Sequence, residues 1–342
     1  MESTQFISYL AAWRPLVESW IDSNAWSRAE GSPVDLDSYL YGPLAHFNAG
    51  GGKRVRPILA LLGCEAVGSI PHRALAAGCA IELFQSAALI HDDIADKSEL
   101  RRGEPCLHIS EGTGLAINAG DAALVEAFCA ILNDKDLDAP TRLSVLSTFA
   151  DMQRRTLEGQ ALDLGWVRDG RWDLTENDYR AMATLKTAHY SCASPLVIGA
   201  ICGGGTAGQI TALESFGLDA GLAFQIQDDL LNLTGNPETQ GKDYLSDITE
   251  GKRTLPVLYT LEHLEGQRRS QFLEIISSGT NDEGRLLQAV DIMREAGALD
   301  HARAVAQELV DAAINRIVNA DIAGNPREVL ISMAHYFVER AG

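Results

Sequence analysis

Asp92 and Asp96 stand four residues apart at the end of an apolar run, with Asp93 beside them. The run belongs to the stretch Ile81–Gly103, where Leu83, Phe84, Ala87, Ala88 and Ile90 bring one or two apolar or small positions onto each helical turn. At this spacing Asp92 and Asp96 project from one face of a helix. Left unpaired, carboxylates so close repel, and at least one keeps its proton. A divalent cation reverses that balance, and hard oxygen ligands without His or Cys favour Mg²⁺. Magnesium held by one or two carboxylates completes its shell with water and phosphate oxygens. Arg101 and Arg102 follow, suited to bidentate grip on phosphate. The design recurs downstream: Phe216, Leu218, Leu222, Ala223, Phe224 and Ile226 lead into Gln225, Asp228, Asp229 and Asn232. Two acidic helix ends facing one cavity would make a magnesium–diphosphate site.

Other segments carry charge that could serve it. Gly50-Gly51-Gly52 precedes Lys53-Arg54-Val55-Arg56-Pro57, three cations in four residues after three glycines, which can present amides and side chains to an anion. By itself this segment also reads as a solvated basic turn, and it lacks the glycine spacing and Ser/Thr of a phosphate-binding P-loop. Gln160 and Asp163 lie on one predicted helix, and Lys186-Thr187-Ala188-His189-Tyr190 on another. Lys242, Asp247 and Lys252 sit in or beside a polar loop over 235–251. Gly203, Gly205 and Gly208 match G-x-G-x-x-G, but a helix precedes them instead of a strand, so they read as a helix stop.

The elements that must position these residues are nearly all helical. Ala and Leu are abundant, only 11 of 342 residues are Pro, and β-branched runs are short. Helices are predicted over 4–24, from Pro33/Asp35 to Asn48, over Pro57–Val67, from near Pro71 through the first acidic end, over Thr113–Asn133, Thr141–Val167, Thr175–Gly203 and Ala207–Leu233, and from Thr254 onward. Trp13, Trp20 and Trp26 suit core or subunit packing. Four or five amphipathic helices follow to the end, with polar loops at Ser278-Gly279 and Gly324-Asn325-Pro326. The net charge of −19, with no basic stripe, argues against a nucleic-acid partner. Six scattered Cys without a CxxC pair suit free thiols in a reducing cytoplasm. The first residues lack a signal-peptide pattern, no apolar run is read as membrane-spanning, and the last residues form no lipidation box.

In order along the chain, GGKRVRP, DDIAD with downstream RRG, GQALD, KTAHY, FQIQDD and GKDYLSDITEGKRTLP resemble the motifs of the trans-prenyl diphosphate synthase (polyprenyl synthetase) family, over about Asn48 to Leu258. That resemblance implies an all-α fold, a single domain over 1–342 in which about 12 to 15 helices surround a deep cavity, with C-terminal helices over 259–342. It implies a homodimer and roughly three Mg²⁺ ions bound with substrate diphosphate. Carried over position by position, Asp92, Asp96 and Asp228 resemble the metal ligands, with Asp93 and Asp229 as supporting carboxylates. Arg101, Lys186, Thr187, Gln225, Lys242 and Lys252 would hold an allylic diphosphate. Lys53, Arg56, Gln85 and Arg102 would hold isopentenyl diphosphate, Gln85 replacing the His of many relatives.

The same resemblance frames the product. In farnesyl-making relatives aromatic side chains block the tunnel at the positions of Ala87 and Ala88, so a product longer than about fifteen carbons is expected here. Phe84, eight residues before Asp92 and about 12 Å down the axis, would be the floor. Ala122, Ala123 and Leu124 are smaller than the residues some twenty-carbon synthases carry nearby. The DDLLN ending at Asn232 resembles eukaryotic-type geranylgeranyl diphosphate synthases. Geranylgeranyl diphosphate is the expected product, with a twenty-five-carbon or longer chain as the competitor. A class I terpene cyclase would share DDxxD but needs no Lys53, Arg56 or Arg102. A non-catalytic regulatory subunit would have lost an acidic motif, and only Asn232 departs here.

Overall fold

The computed structural model describes residues 4–26, 30–235 and 244–339. Helices α1 (Thr4–Asn24), α2 (Gly42–Ala49, preceded by a π-helical turn at Asp37–Tyr41), α3 (Val55–Ala66) and α4 (Leu75–Ala95) lead to the first acidic end. A two-stranded hairpin, β1 (Leu100–Arg101) and β2 (Glu104–Pro105), separates α4 from α5 (Leu107–Ser110), α6 (Thr113–Leu132) and α7 (Ala139–Arg168). One near-continuous helix then runs as α8 (Glu176–Ala183), a π-helical stretch (Thr184–Ala193) and α9 (Ser194–Gly203), and α10 (Ala207–Thr234) ends on the second acidic pair. Helices α11 (Ser246–Thr249), α12 (Leu255–His263), α13 (Gly266–Ile276), α14 (Glu283–Glu295), α15 (Ala298–Val318) and α16 (Gly324–Glu339) complete it.

Packing follows from which faces are apolar. Helix α4 lies along α6, α3 along α9, and α10 along both α15 and the π-helical stretch. One core surrounds α3, α4, α9 and the first half of α10. A second joins the lower half of α10 to α12–α15. Helix α10 therefore spans both cores and carries its aspartates to the end where they meet. Its start is fixed by a capping box, Thr206 with Gln209, which satisfies orphan amides of the first turn. Gly204, at φ +76°, stops α9 as the glycine cluster predicted.

Three expectations change. Gly324-Asn325-Pro326 opens α16 instead of forming a loop; a proline in the first turn forfeits no intrahelical bond. The segment after α4 is a β-hairpin, invisible to periodicity because each strand has two residues. Two stretches, Pro71–Ala95 and Thr113–Leu132, are long and apolar enough to cross a membrane, although no such run was read from the sequence. The first is a core helix, 67% buried; the second is only 33% buried.

Candidate active site

Helices α4 and α10 both end in acid. The C-terminus of a helix is its negative pole, so carboxylates gathered there add to an unfavourable field that a cation relieves. Asp96, Asp228 and Asp229 line one cavity of about 510 Å³. Among the described residues six carboxylates line it (Asp96, Asp163, Asp228, Asp229, Asp247 and Glu250) against four cations, Arg101, Lys186, Lys252 and Arg253. An anionic ligand entering this excess of acid needs further positive charge. No three described His, Cys, Asp or Glu side chains form a ready metal cage. Hard carboxylate oxygens that leave most of a coordination shell to water and phosphate fit Mg²⁺ better than a transition metal.

Asp92 and Asp93 have distinct neighbours. Asp92 accepts from Gln160 Nε2 at 2.9 Å, a contact from α7. Burial raises its carboxyl above the usual range, and Lys186, Arg101 and Lys252 pull against that rise. Asp93 is buried and takes Arg101 by Nε at 2.8 and 2.9 Å and by Nη2 at 2.7 Å. The hairpin makes this grip possible. Arg102 and Gly103 occupy its turn with φ +54° and +85°, the pair of left-handed conformations that matches the twist of two short strands. The turn folds Arg101 back under Asp93.

The KTAHY motif lies in the π-helical stretch. A π segment is wider than an α-helix and needs room beside it. Three glycines on neighbouring helices provide that room. A Cβ at Gly159 of α7 would lie 2.3 Å from the Lys186 nitrogen. One at Gly217 would lie 2.5 Å from Ala193 Cα, and one at Gly221 2.8 Å from Ala188 Cα. Lys186 thereby bonds Asp163 at 2.5 Å. Burial is the largest influence and works to lower the Lys186 ammonium, but the charge and hydrogen bond of Asp163, with the charge of Asp92, together hold the group above its ordinary range. Lys252 behaves alike: burial is overcome by Asp247 at 3.2 Å and Glu250 at 2.7 Å.

Beneath the second acidic end, Thr187 Oγ1 donates to Gln225 Oε1, Gln225 Nε2 donates to Asp229 Oδ1, and Tyr179 donates to Asp229 Oδ2, each at 2.7 Å. Burial, helped by Asp247 and opposed by these hydrogen bonds, pushes Asp229 up to about 8. Asn232 donates to Ser246 Oγ at 3.1 Å and accepts from the Asp247 amide at 3.3 Å. These two bonds tie α10 to α11. Arg253, 2% exposed, stacks on Trp172 at 3.8 Å and donates to the carbonyls of Arg171 and Gly251. Burial lowers its guanidinium to about 10. Lys242 lies outside the described residues.

A second cavity of about 550 Å³ takes Lys53, Arg56, Gln85 and Arg102 together. Lys53 Nζ donates to Tyr336 at 3.1 Å. Arg56 donates to Tyr190 at 2.8 Å and Ser191 at 2.9 Å, with its guanidinium 4.4 Å from the Tyr190 ring centre. Gln85 is buried with Oε1 lacking a partner. Arg54, the middle cation, also lines this cavity, but its guanidinium is engaged by Glu82 at 2.7 Å and the Asn48 carbonyl, so it braces the loop. Arg102 is lowered by burial and by the nearby Arg54.

The expected chain-length residues divide. Ala87 is fully buried against the small-residue face of α6, whereas Ala88 is partly exposed. Phe84 packs edge-on against Phe149 and Tyr190, and Phe149 continues to Phe128. Tyr179, Glu250, Tyr336 and Ser191 went unassigned in the sequence; Tyr179, Tyr336 and Ser191 are remote in sequence from the residues they contact, so only the fold reveals them, whereas Glu250 lies two residues from Lys252 inside its motif.

An all-helical bundle with two acidic helix ends over one cavity, and a basic pocket beside it, defines a synthase that handles diphosphate esters. The polyprenyl synthetase family model matches residues 37–293, and the chain belongs to that family. A short chain isoprenyl diphosphate synthase of Methanothermobacter thermautotrophicus is 41% identical over 295 residues, 86% of this chain and 88% of the relative. The crystal structure of geranylgeranyl pyrophosphate synthetase from Pyrococcus horikoshii superposes with a TM-score of 0.89 at 30% identity, covering 99% and 100% of the two chains. A Corynebacterium glutamicum geranylgeranyl pyrophosphate synthase, complexed with isoprenyl diphosphate and magnesium, does so at 0.82 and 27%, covering 99% and 97%. Further relatives bear the names farnesyl, geranylgeranyl and geranylfarnesyl diphosphate synthase. The protein is a trans-prenyl diphosphate synthase, a prenyltransferase.

Proposed function

We propose that this enzyme condenses isopentenyl diphosphate with an allylic diphosphate, head to tail and with Mg²⁺, and that its product is geranylgeranyl diphosphate. The observation that carries the reading is the pair of adjacent cavities, one acid-rich and one basic. Asp92, Asp96 and Asp228 would hold the metal, which as a Lewis acid neutralises the departing diphosphate. Arg101, Lys186 and Lys252 exchange their carboxylate partners for diphosphate oxygens and stabilise the same charge. Thr187 and Gln225 turn oxygen toward the allylic cation. Lys53, Arg56, Gln85 and Arg102 hold isopentenyl diphosphate so that its double bond meets that cation, a proximity effect. The apolar walls exclude water, which would quench the cation. The released diphosphate takes the final proton.

The small side chain of Ala88 would leave a tunnel open beneath Asp92, and the Phe84–Phe149–Phe128 cluster would supply its floor. A homodimer, with each chain one polyprenyl synthetase domain, is supported by the apolar side chains that α6 and α7 leave exposed: Leu115, Ile117, Val125, Leu143 and Leu157. Six free cysteines suit work in the cytoplasm.

Purified protein given isopentenyl and farnesyl diphosphates with Mg²⁺ should yield geranylgeranyl diphosphate by mass spectrometry, and Phe84→Ala should yield longer chains. Cyclised hydrocarbon, or no product until a partner protein is added, would sink the reading. A longer product from the parent protein would correct its chain length alone.

A further inference from the structure

We propose that Tyr179 is a positioning residue for the second acidic helix end, an inference that rests on the reading of that end as a metal–diphosphate site. Tyr179 sits in the first turn of α8, where a capping box between Thr175 and Asp178 fixes the helix start. Its ring is 1% exposed among the apolar residues of the second core. A phenol so buried must find a polar partner. It finds Asp229 Oδ2 at 2.7 Å, 50 residues away in sequence.

Asp229 is itself 5% exposed, beside Asp228 on the cavity wall. Its two oxygens are divided between Tyr179 and the Gln225 carboxamide, and that carboxamide holds Thr187. Three hydrogen bonds of 2.7 Å therefore run from a buried phenol to Thr187 on the cavity wall. The chain links α8, α10 and the π-helical stretch, the three elements that must keep register when diphosphate pulls on Lys186. With the phenol oxygen removed, Asp229 Oδ2 loses its partner in a buried place. An unsatisfied carboxyl there turns toward the cavity to recover a donor or a cation. That rotation releases Gln225 and Thr187 and alters the charge presented to the metal. Tyr179 lies on the cavity wall, but its phenol oxygen is held by Asp229, and it acts through that carboxyl.

The test uses the full-length protein. Tyr179→Phe deletes one oxygen and keeps the ring. Mg²⁺-dependent binding of inorganic diphosphate, measured by calorimetry, should weaken about tenfold, the scale of one buried polar group left without its hydrogen bond. The KM for the allylic substrate should rise with it, while the KM for isopentenyl diphosphate stays within about twofold. Phe272→Leu, in the same core but lining neither cavity, is the control matched for loss of thermal stability. Diphosphate affinity unchanged in Tyr179→Phe, or lowered equally in Phe272→Leu, overturns the inference. Parent protein that binds diphosphate but turns nothing over defeats the proposed reaction, and the affinity comparison still decides Tyr179. Parent protein that binds no diphosphate defeats both.

Discussion

At the cavity between the acidic helix ends, Lys186 bonds Asp163, Arg101 bonds Asp93, and Lys252 bonds Asp247 and Glu250. At the neighbouring cavity, Lys53 and Arg56 bond tyrosine and serine hydroxyls, and the nearby carboxylate of Glu82 is engaged by Arg54. The first set of cations is neutralised in advance; the second keeps its charge for a ligand. A diphosphate approaching the first site meets little net attraction until metal arrives, whereas the second is ready without it. In the proposed reaction this difference would place bond-breaking power on one side only: the ester that must ionise would be offered metal, and the ester that must stay intact arginine and lysine.

Chelation should break the symmetry most sharply. With EDTA, turnover should cease and binding of a non-reactive allylic analogue should weaken by about 100-fold or more, while isopentenyl diphosphate affinity changes by less than about threefold. Equal losses in calorimetry would erase the distinction. Next, Lys186→Ala should reduce kcat/KM for the allylic substrate by about 10³-fold, because it removes a cation and leaves Asp163 facing the diphosphate. Adding Asp163→Asn should recover part of that loss; no recovery in steady-state assays would show that Asp163 does not oppose the ligand. Arg56→Ala should act on the other side, raising the isopentenyl KM about 30-fold and leaving the allylic KM within about twofold.

The smallest effect concerns protonation. Gln85 gives its pocket a neutral amide. Gln85→His should change isopentenyl affinity by less than about threefold at pH 7.5, and then tighten it as pH falls through about 6.5, where imidazole gains charge. The parent should show no such inflection at that pH. A flat profile for the variant would mean that this position does not face the phosphate.

Much of this contrast could be read from residue order. Acidic pairs closing apolar runs marked the ends of α4 and α10, and periodicity placed most helix ends within a few residues. The motif order carried the pockets, and Asp96 with Asp228 does line one cavity. The pairing of charges was not legible. Lys186 and Asp163 were both noticed, but only folding brings α7 beside the π-helical stretch. Arg54 looked like one of three equivalent cations, yet its left-handed backbone, φ +50°, turns it inward. The π geometry was hidden because one extra residue spread over two turns barely perturbs a helical pattern. The hairpin under Arg101 was too short to announce itself.

Gly159 shows how far the site reaches beyond the groups that touch substrate. Its missing methyl is the space into which the backbone of Lys186 bulges. Anyone randomising this gene for new product lengths will find inactive clones at Gly159 that look conservative on paper. A library that spares Gly159, Gly217 and Gly221 would waste fewer of its members.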